Sequence, residues 1–411
     1  MYQSYVTLLE NIGIPQWFST LMWPAFLFAA ILFVAMFFGV VVLVLMERRV
    51  LALLTVRKGP NRVGYDGALQ TIADGIKIMF KEDIMAKGSN KVLFTLAPVI
   101  VMASTLTVFA VIPYTKALVP TNIAVSLLFV LAISSISTIG LLLAGWASNN
   151  KYSLIGGIRS AAQAISYEIP LIIAAIGVVV LAGTMNLSEI IATQKSNLHS
   201  GESIFIVING FFSNIGIGAI LEPFKVILVT LLNWNLWYYN CIAGFIGFIV
   251  FFICAIAESN RIPFDLPEAE SELVSGYSTE YSGIKFAMFF MAEYAALFVI
   301  ASLTVILFLG GYLPIFNDYI VNILLSIMPS LSGLPFINDQ VINTMLHLEQ
   351  AAWFTLKVWL FIFIAMWIRA TLPRLRADQM MAFCWKFLLP LALINLLVVT
   401  IIKEFIYRSM T

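Results

Sequence analysis

Ile284-Lys-Phe-Ala-Met-Phe-Phe-Met-Ala-Glu-Tyr-Ala-Ala-Leu-Phe-Val-Ile-Ala-Ser-Leu-Thr-Val-Ile-Leu-Phe-Leu-Gly-Gly311 holds only two charges, Lys285 and Glu293. A helix needs about 20 apolar residues to cross the hydrocarbon of a bilayer, and this run exceeds that. Comparable runs lie near 24–46, 93–113, 123–146, 161–183, 241–257, 351–370 and 384–402. A membrane β-barrel would instead alternate over segments of about 10 residues. The expected fold is therefore all-α: a polytopic membrane helix bundle with about eight transmembrane helices in one integral-membrane domain, 1–411. Composition agrees, with 61% hydrophobic and 11% charged residues and a mean hydropathy of +0.97. An ordinary water-soluble core is excluded.

Basic residues near membrane spans favour the cytoplasmic side. Loops 47–92, 147–160, 258–283 with Lys285, and 369–386 hold seventeen of the 23 Lys and Arg. Lys116, Lys195, Lys225, Lys403 and Arg408 fall on the other side, and Lys357 falls inside a span. Eight crossings then leave both termini outside and these loops inside. A single further crossing through 203–232 would invert the bias, so that segment reads as two short interfacial or partner-contacting helices broken near Gly216, Gly218 and Pro223. The first span has neither a basic n-region nor a small-residue cleavage site, and it reads as retained.

Two inner loops concentrate charge. Glu258-Ser-Asn-Arg-Ile-Pro-Phe-Asp-Leu-Pro-Glu-Ala-Glu-Ser-Glu-Leu, with Glu280 beyond it, gathers Glu258, Asp265, Glu268, Glu270, Glu272 and Glu280 around the single base Arg261. Mutual repulsion favours protonation of some of these acids, a property suited to proton or charge coupling. Pro267 begins an expected short helix whose first turn carries Glu268 and Glu270. Loop 47–92 sets nine bases against five acids. Within it, Leu69, Ile72, Ile76 and Met79 form one helical stripe and Gln70, Asp74, Lys77 and Lys81 another, the pattern of an amphipathic interfacial helix. Gly59, Pro60 and Gly64 mark a turn before it. The plainer alternatives are a basic loop on anionic lipid and acids that only pair with its bases.

Charge inside a span costs roughly 2.5–3.5 kcal/mol at the centre on insertion scales, so each instance asks for a reason. Glu168 sits beside Pro170, which can free a backbone carbonyl and give a hydrated kink for a proton path. Glu293 has Tyr294 or a neighbouring helix to satisfy it. Lys357 reads equally well as functional or as snorkelling to the outer interface.

Cys241, Cys254 and Cys384 are isolated, so no Cys-x-x-Cys framework for iron–sulfur or zinc is present. His199 and His347, both expected in outer loops, cannot clamp a haem across the bundle. No Walker or dinucleotide glycine motif follows a strand, and no basic tail points to nucleic acid. The expectation is no metal and no cofactor bound by this chain alone.

Specific motifs recur in one order along nearly the whole chain. They are Glu47-Arg-Arg, Arg57-Lys-Gly-Pro-Asn-Arg-Val-Gly, Leu69-Gln through Asp74 and Lys81-Glu, Ser148-Asn-Asn-Lys-Tyr, Ala162-Gln-Ala-Ile-Ser-Tyr-Glu-Ile, the acidic loop, Phe289-Phe-Met-Ala-Glu-Tyr and Ile368-Arg-Ala-Thr-Leu-Pro-Arg-Leu-Arg-Ala-Asp-Gln. In these the chain resembles one family of membrane subunits of NADH:quinone oxidoreductase, respiratory complex I. That family comprises the bacterial H subunit and the mitochondrial subunit 1. Segments 186–240 and 313–350 look extended relative to it.

The resemblance implies a subunit that forms part of a quinone chamber and couples quinone reduction to proton translocation. Arg49, Arg57, Arg62, Asp74 and Arg261 would line or brace the chamber. Acids from Glu258 to Glu280 would respond to quinone reduction, with Glu168 relaying the change. NADH, FMN and iron–sulfur clusters would reside in partner subunits of the peripheral arm, and further partners in the membrane arm. Absence of a targeting peptide leans toward a bacterial inner membrane over a mitochondrial one, although an organelle-encoded subunit would lack one too. The runner-up is the membrane subunit of a homologous hydrogenase or formate-linked complex. A stand-alone transporter would show internal repeats, and none is convincing.

Overall fold

A computed structural model describes residues 23–196, 242–266, 275–314 and 339–410. Their regular structure is helical, with no strand among the described residues. The chain divides into two compact units, Met1–Phe80 and Lys81–Thr411.

The first unit holds α1 (Trp23–Leu54), a 3-10 turn (Tyr65–Gly67) and α2 (Gln70–Met79). Gly67, at φ +72°, lets the loop fold back on itself, because a Cβ there would lie 2.1 Å from the carbonyl oxygen of Pro60. Helix α2 realises the expected amphipathic segment. Leu69, Ile72, Ile76 and Met79 are all exposed, so the described chain leaves that apolar stripe uncovered.

The second unit contains α3 (Lys91–Phe109), α4 (Ser126–Ala147), α5 (Lys151–Ala182), α6 (Leu187–Ser196), α7 (Ile242–Glu258), α8 (Gly283–Phe308), α9 (Asp339–Thr371), α10 (Ala377–Phe383), a π-wound turn (Cys384–Leu388) and α11 (Leu389–Met410). Among the described residues six helical stretches are long and apolar enough to cross a membrane: 91–109, 126–147, 151–182, 283–308, 344–371 and 377–404. The apolar helix at 243–258 is shorter, and α1 covers the first apolar run of the sequence. The helices of the second unit form a polytopic membrane bundle.

Helix α5 is the hub, packing against α4, α7 and α11. It begins at Lys151, ten residues before the expected span, so loop 147–160 shrinks to a short connection that Asn150 caps by accepting from the Tyr152 N–H at 3.0 Å. Hydropathy misses this first stretch because its inward residues are small and polar: Ser153, Gly156, Gly157 and Ser160 are all buried. They permit close backbone approach. A Cβ on Gly156 would fall 2.7 Å from the Cα of Gly276, and one on Gly157 3.2 Å from the Cα of Gly145. Small residues serve helix contact in membranes for this reason. Helix α9 likewise starts before its expected limit, which places His347 in a helix and not in a loop.

Pro170 lies inside α5 and has no N–H for the carbonyl of Ser166, four residues back. That carbonyl accepts instead from the Cys384 thiol at 3.1 Å, so the expected freed carbonyl is taken by a side chain. The Tyr167 hydroxyl donates to Met380 O at 2.9 Å beside it, fastening α5 to α10.

Candidate functional site

Three separated stretches meet in the interior of the second unit. Glu168 near the middle of α5 accepts a hydrogen bond from the Ser135 hydroxyl of α4. Glu258, the last residue of α7, lies against Ser134, so neighbouring serines of α4 hold the two acids. A mostly apolar cavity of about 60 Å³ borders Glu258, with Ser104, Thr105, Ser134 and Ser137 among its lining residues beside Val108, Val130, Leu131, Leu171 and Phe251. A water needs roughly 10–15 Å³ by this kind of measure, so the cavity has room for about four.

The chain leaving α7 is held in place from α5. Gln163, buried in the α5 face, donates both amide protons, to Ala257 O at 2.7 Å and Phe264 O at 2.6 Å. These bonds satisfy one carbonyl at the end of α7 and another in the following turn, fixing the segment that carries Arg261 and Asp265. Arg261 is 4% exposed, lies 3.6 Å from the Glu293 carboxylate and stacks 4.2 Å above the Tyr294 ring. Glu293 thus receives a cation from another segment. Farther on, Asn150 donates to Glu280 at 2.7 Å. Tyr281 stacks on Phe94 at 4.0 Å, and Lys285 pairs with Asp83 at 2.8 Å.

In the first unit a cavity of about 390 Å³ is lined by Arg49, Ala52, Leu53, Arg57, Lys58, Gly59, Pro60, Asn61 and Asp66. Arg49 spans it to pair with Asp66 at 3.1 Å. Asp74 pairs with Arg48 and accepts from Gln70 at 3.1 Å. Partial burial opposes ionisation of Asp74, but Arg48, Gln70 and Lys77 outweigh it and hold its carboxyl below 3.8. Arg49, Arg57 and Lys58 give this open space a basic lining, with Asp66 as its acid and the exposed Leu53 among its apolar residues.

The family model described as NADH dehydrogenase matches residues 27–400. The chain belongs to that family. It is 42% identical over 400 residues to the H subunit of NADH-quinone oxidoreductase from Brevibacillus brevis, covering 97% of this chain and 98% of the relative. The corresponding H subunits from Bacillus cytotoxicus and Bacillus thuringiensis are 44% identical over 366 residues and 43% over 365, each covering 89% of both chains.

For this NADH dehydrogenase family member, the candidate residues fall into distinct groups. Glu168 and Glu258 come together, while Asp265 and Glu280 are set on the segments that Gln163 and Asn150 anchor. Arg49 and Arg57 share a cavity. Arg62 is exposed outside its lining, and Asp74 is engaged by Arg48. Arg261 is directed to Glu293. Glu268, Glu270 and Glu272, the short helix expected at Pro267, the segment 203–232 and most of 186–240 and 313–350 lie outside the described residues. Lys357 does not snorkel. It is 2% exposed, and its ammonium donates to Leu309 O at 2.8 Å, Gly311 O at 3.0 Å and Leu313 O at 2.6 Å, closing the end of α8. Sequence reasoning assigned no role to Gln163, Asn150, Ser134 or Ser135. The hydroxyl run Ser134-Ser-Ile-Ser-Thr inside a span was the available signal.

Proposed function

We propose that this chain is the membrane subunit of a proton-translocating NADH:quinone oxidoreductase, forming part of its quinone-binding chamber and coupling quinone reduction to proton movement. The observation that carries the proposal is that consecutive serines of α4 hold two acids within the helices, Ser135 on Glu168 and Ser134 on Glu258, with Glu258 bordering a cavity. Two intramembrane acids at close range cannot both ionise cheaply, so a change of charge nearby shifts where a proton resides. Glu258, Asp265, Glu268, Glu270, Glu272 and Glu280 are the charge-responsive set, and Glu168 is the relay toward the membrane arm. Arg49 and Arg57 line a basic quinone-chamber margin in the first unit, which Arg62 and Asp74 would brace, and Arg261 would brace the acids of the second unit.

The quinone is a substrate. NADH oxidation, FMN and iron–sulfur clusters belong to partner subunits of the peripheral arm, and the proton-carrying partners to the membrane arm. The names of the bacterial relatives support a subunit of an NADH-quinone oxidoreductase, and their bacterial origin together with the apolar helices supports a plasma-membrane location.

The test is purification of the intact particle in mild detergent, assayed for NADH-driven quinone reduction beside viologen-linked hydrogenase activity. Co-eluting NADH:quinone activity that falls at least about tenfold in Glu168→Gln is the expected result. Hydrogenase activity without quinone reduction transfers the chain to a hydrogenase-type complex. Unchanged turnover and pumping in Glu168→Gln removes that residue from the path.

A further inference from the structure

Ser134 and Ser135 are consecutive on α4, and each faces a choice of acceptor. Ser134 Oγ lies 2.8 Å from the Leu131 carbonyl oxygen and also against the Glu258 carboxyl. Ser135 Oγ lies 3.1 Å from the same carbonyl oxygen and is hydrogen-bonded to Glu168 Oε1. A hydroxyl has one proton to donate and can accept at the same time. While Glu168 is ionised, Ser135 donates to it in a charge-assisted bond. When Glu168 is protonated, its own O–H donates to Ser135 Oγ, and Ser135 turns its proton to Leu131 O. Ser134 has the same two orientations with respect to Glu258.

The shared carbonyl links the two choices. A carbonyl already bound by one hydroxyl is a poorer acceptor for a second, so Ser135 on Leu131 O favours Ser134 on Glu258. Donation from Ser134 in turn favours ionised Glu258. We propose that Ser134 and Ser135, joined through the Leu131 carbonyl, are positioning residues that make Glu168 and Glu258 take up a proton in alternation. Neither serine gains or loses a proton: each hydroxyl only reorients, and the proton exchanged belongs to the carboxyls. Repulsion between the two acids acts in the same direction, and Cys254 on α7 is a further titratable group that interacts with Glu258. The hydroxyl link differs from repulsion in that it can be removed with both charges retained.

This inference rests on the coupling role proposed for Glu168, and the experiment separates the two. Ser134→Ala, Ser135→Ala, the double variant, Ser135→Thr and Glu168→Gln are compared in membranes carrying the whole complex. Readouts are NADH-driven quinone reduction against pH, protons moved per NADH, and NADH oxidation by a water-soluble acceptor as a measure of assembly. Ser135→Ala is expected to lower coupled quinone reduction about tenfold, the worth of one hydrogen bond to a charged group. It should alter the pH profile and leave the soluble-acceptor rate unchanged. Ser135→Thr, which restores a hydroxyl, should recover the parent behaviour. The double variant should cost little more than the worse single, because the two hydroxyls act as a unit. Parent-like Ser135→Ala, or equal loss in Ser135→Ala and Ser135→Thr, overturns the inference. If Glu168→Gln is itself fully active, the coupling role beneath it fails. An inactive Glu168→Gln beside an active Ser135→Ala sinks the serine link alone.

Discussion

Replacing Lys357 with Met keeps a long flexible side chain and removes the ammonium that closes the end of α8. Three carbonyls, those of Leu309, Gly311 and Leu313, then lose a charged donor. At about 1.5 kcal/mol for each bond, the low end for charged groups, the loss is roughly 4–5 kcal/mol. Relief of a desolvated charge and new apolar contact of the thioether return part of it. A net local cost of about 3 kcal/mol remains, which corresponds to roughly 150-fold more frequent opening of the segment. The amides to watch are those of Leu309 and Gly311, which both donate to Val305 O at 3.0 Å. Hydrogen exchange by mass spectrometry on peptides spanning 305–314 of the intact complex reads this directly. Less than about fivefold acceleration in Lys357→Met would refute the view that this lysine is a helix closure. Such a result would return it to the snorkelling reading.

Two further predictions concern the pieces that hold the site. Gly156→Ala would drive a Cβ to 2.7 Å from the Cα of Gly276 and 2.8 Å from the Tyr277 nitrogen, both backbone atoms. The expected cost is about 1–3 kcal/mol or more, read as a lower melting temperature of the purified complex; an unchanged melt contradicts the packing. In the first unit Asp74 has a folded pKa lowered below 3.8, so its stabilisation is present above that value and lost as pH falls through the lowered pKa. Exchange of the α2 amides should therefore be insensitive to Asp74 ionisation between pH 5 and 8, and faster at pH 7 in Asp74→Asn. Equal protection in Asp74→Asn and the parent at pH 7 would remove the Arg48 pair as the anchor of α2.

Hydropathy sufficed for the class of fold because a bilayer imposes a long apolar run on every crossing helix, and such runs are local. The amphipathic stripe of α2 was legible for the same reason: period 3.6 is written in consecutive residues. Motif order along the chain pointed to the family. The boundaries of α5 were not legible, since Ser153, Gly156, Gly157 and Ser160 look polar in sequence yet are buried by close helix contact. Polar partners were even less so. Glu168 could be marked as an intramembrane acid, but its meeting with Ser135 and Glu258 joins positions 33 and 90 residues away. The thiol that takes the carbonyl freed by Pro170 comes from 218 residues downstream. Lys357 carries no mark in its neighbours that it will close a helix 46 residues earlier. A sequence fixes which groups must be satisfied when water is withdrawn; only the packed helices decide which distant donor or acceptor satisfies each one, because that choice depends on approach in space and leaves no period along the chain.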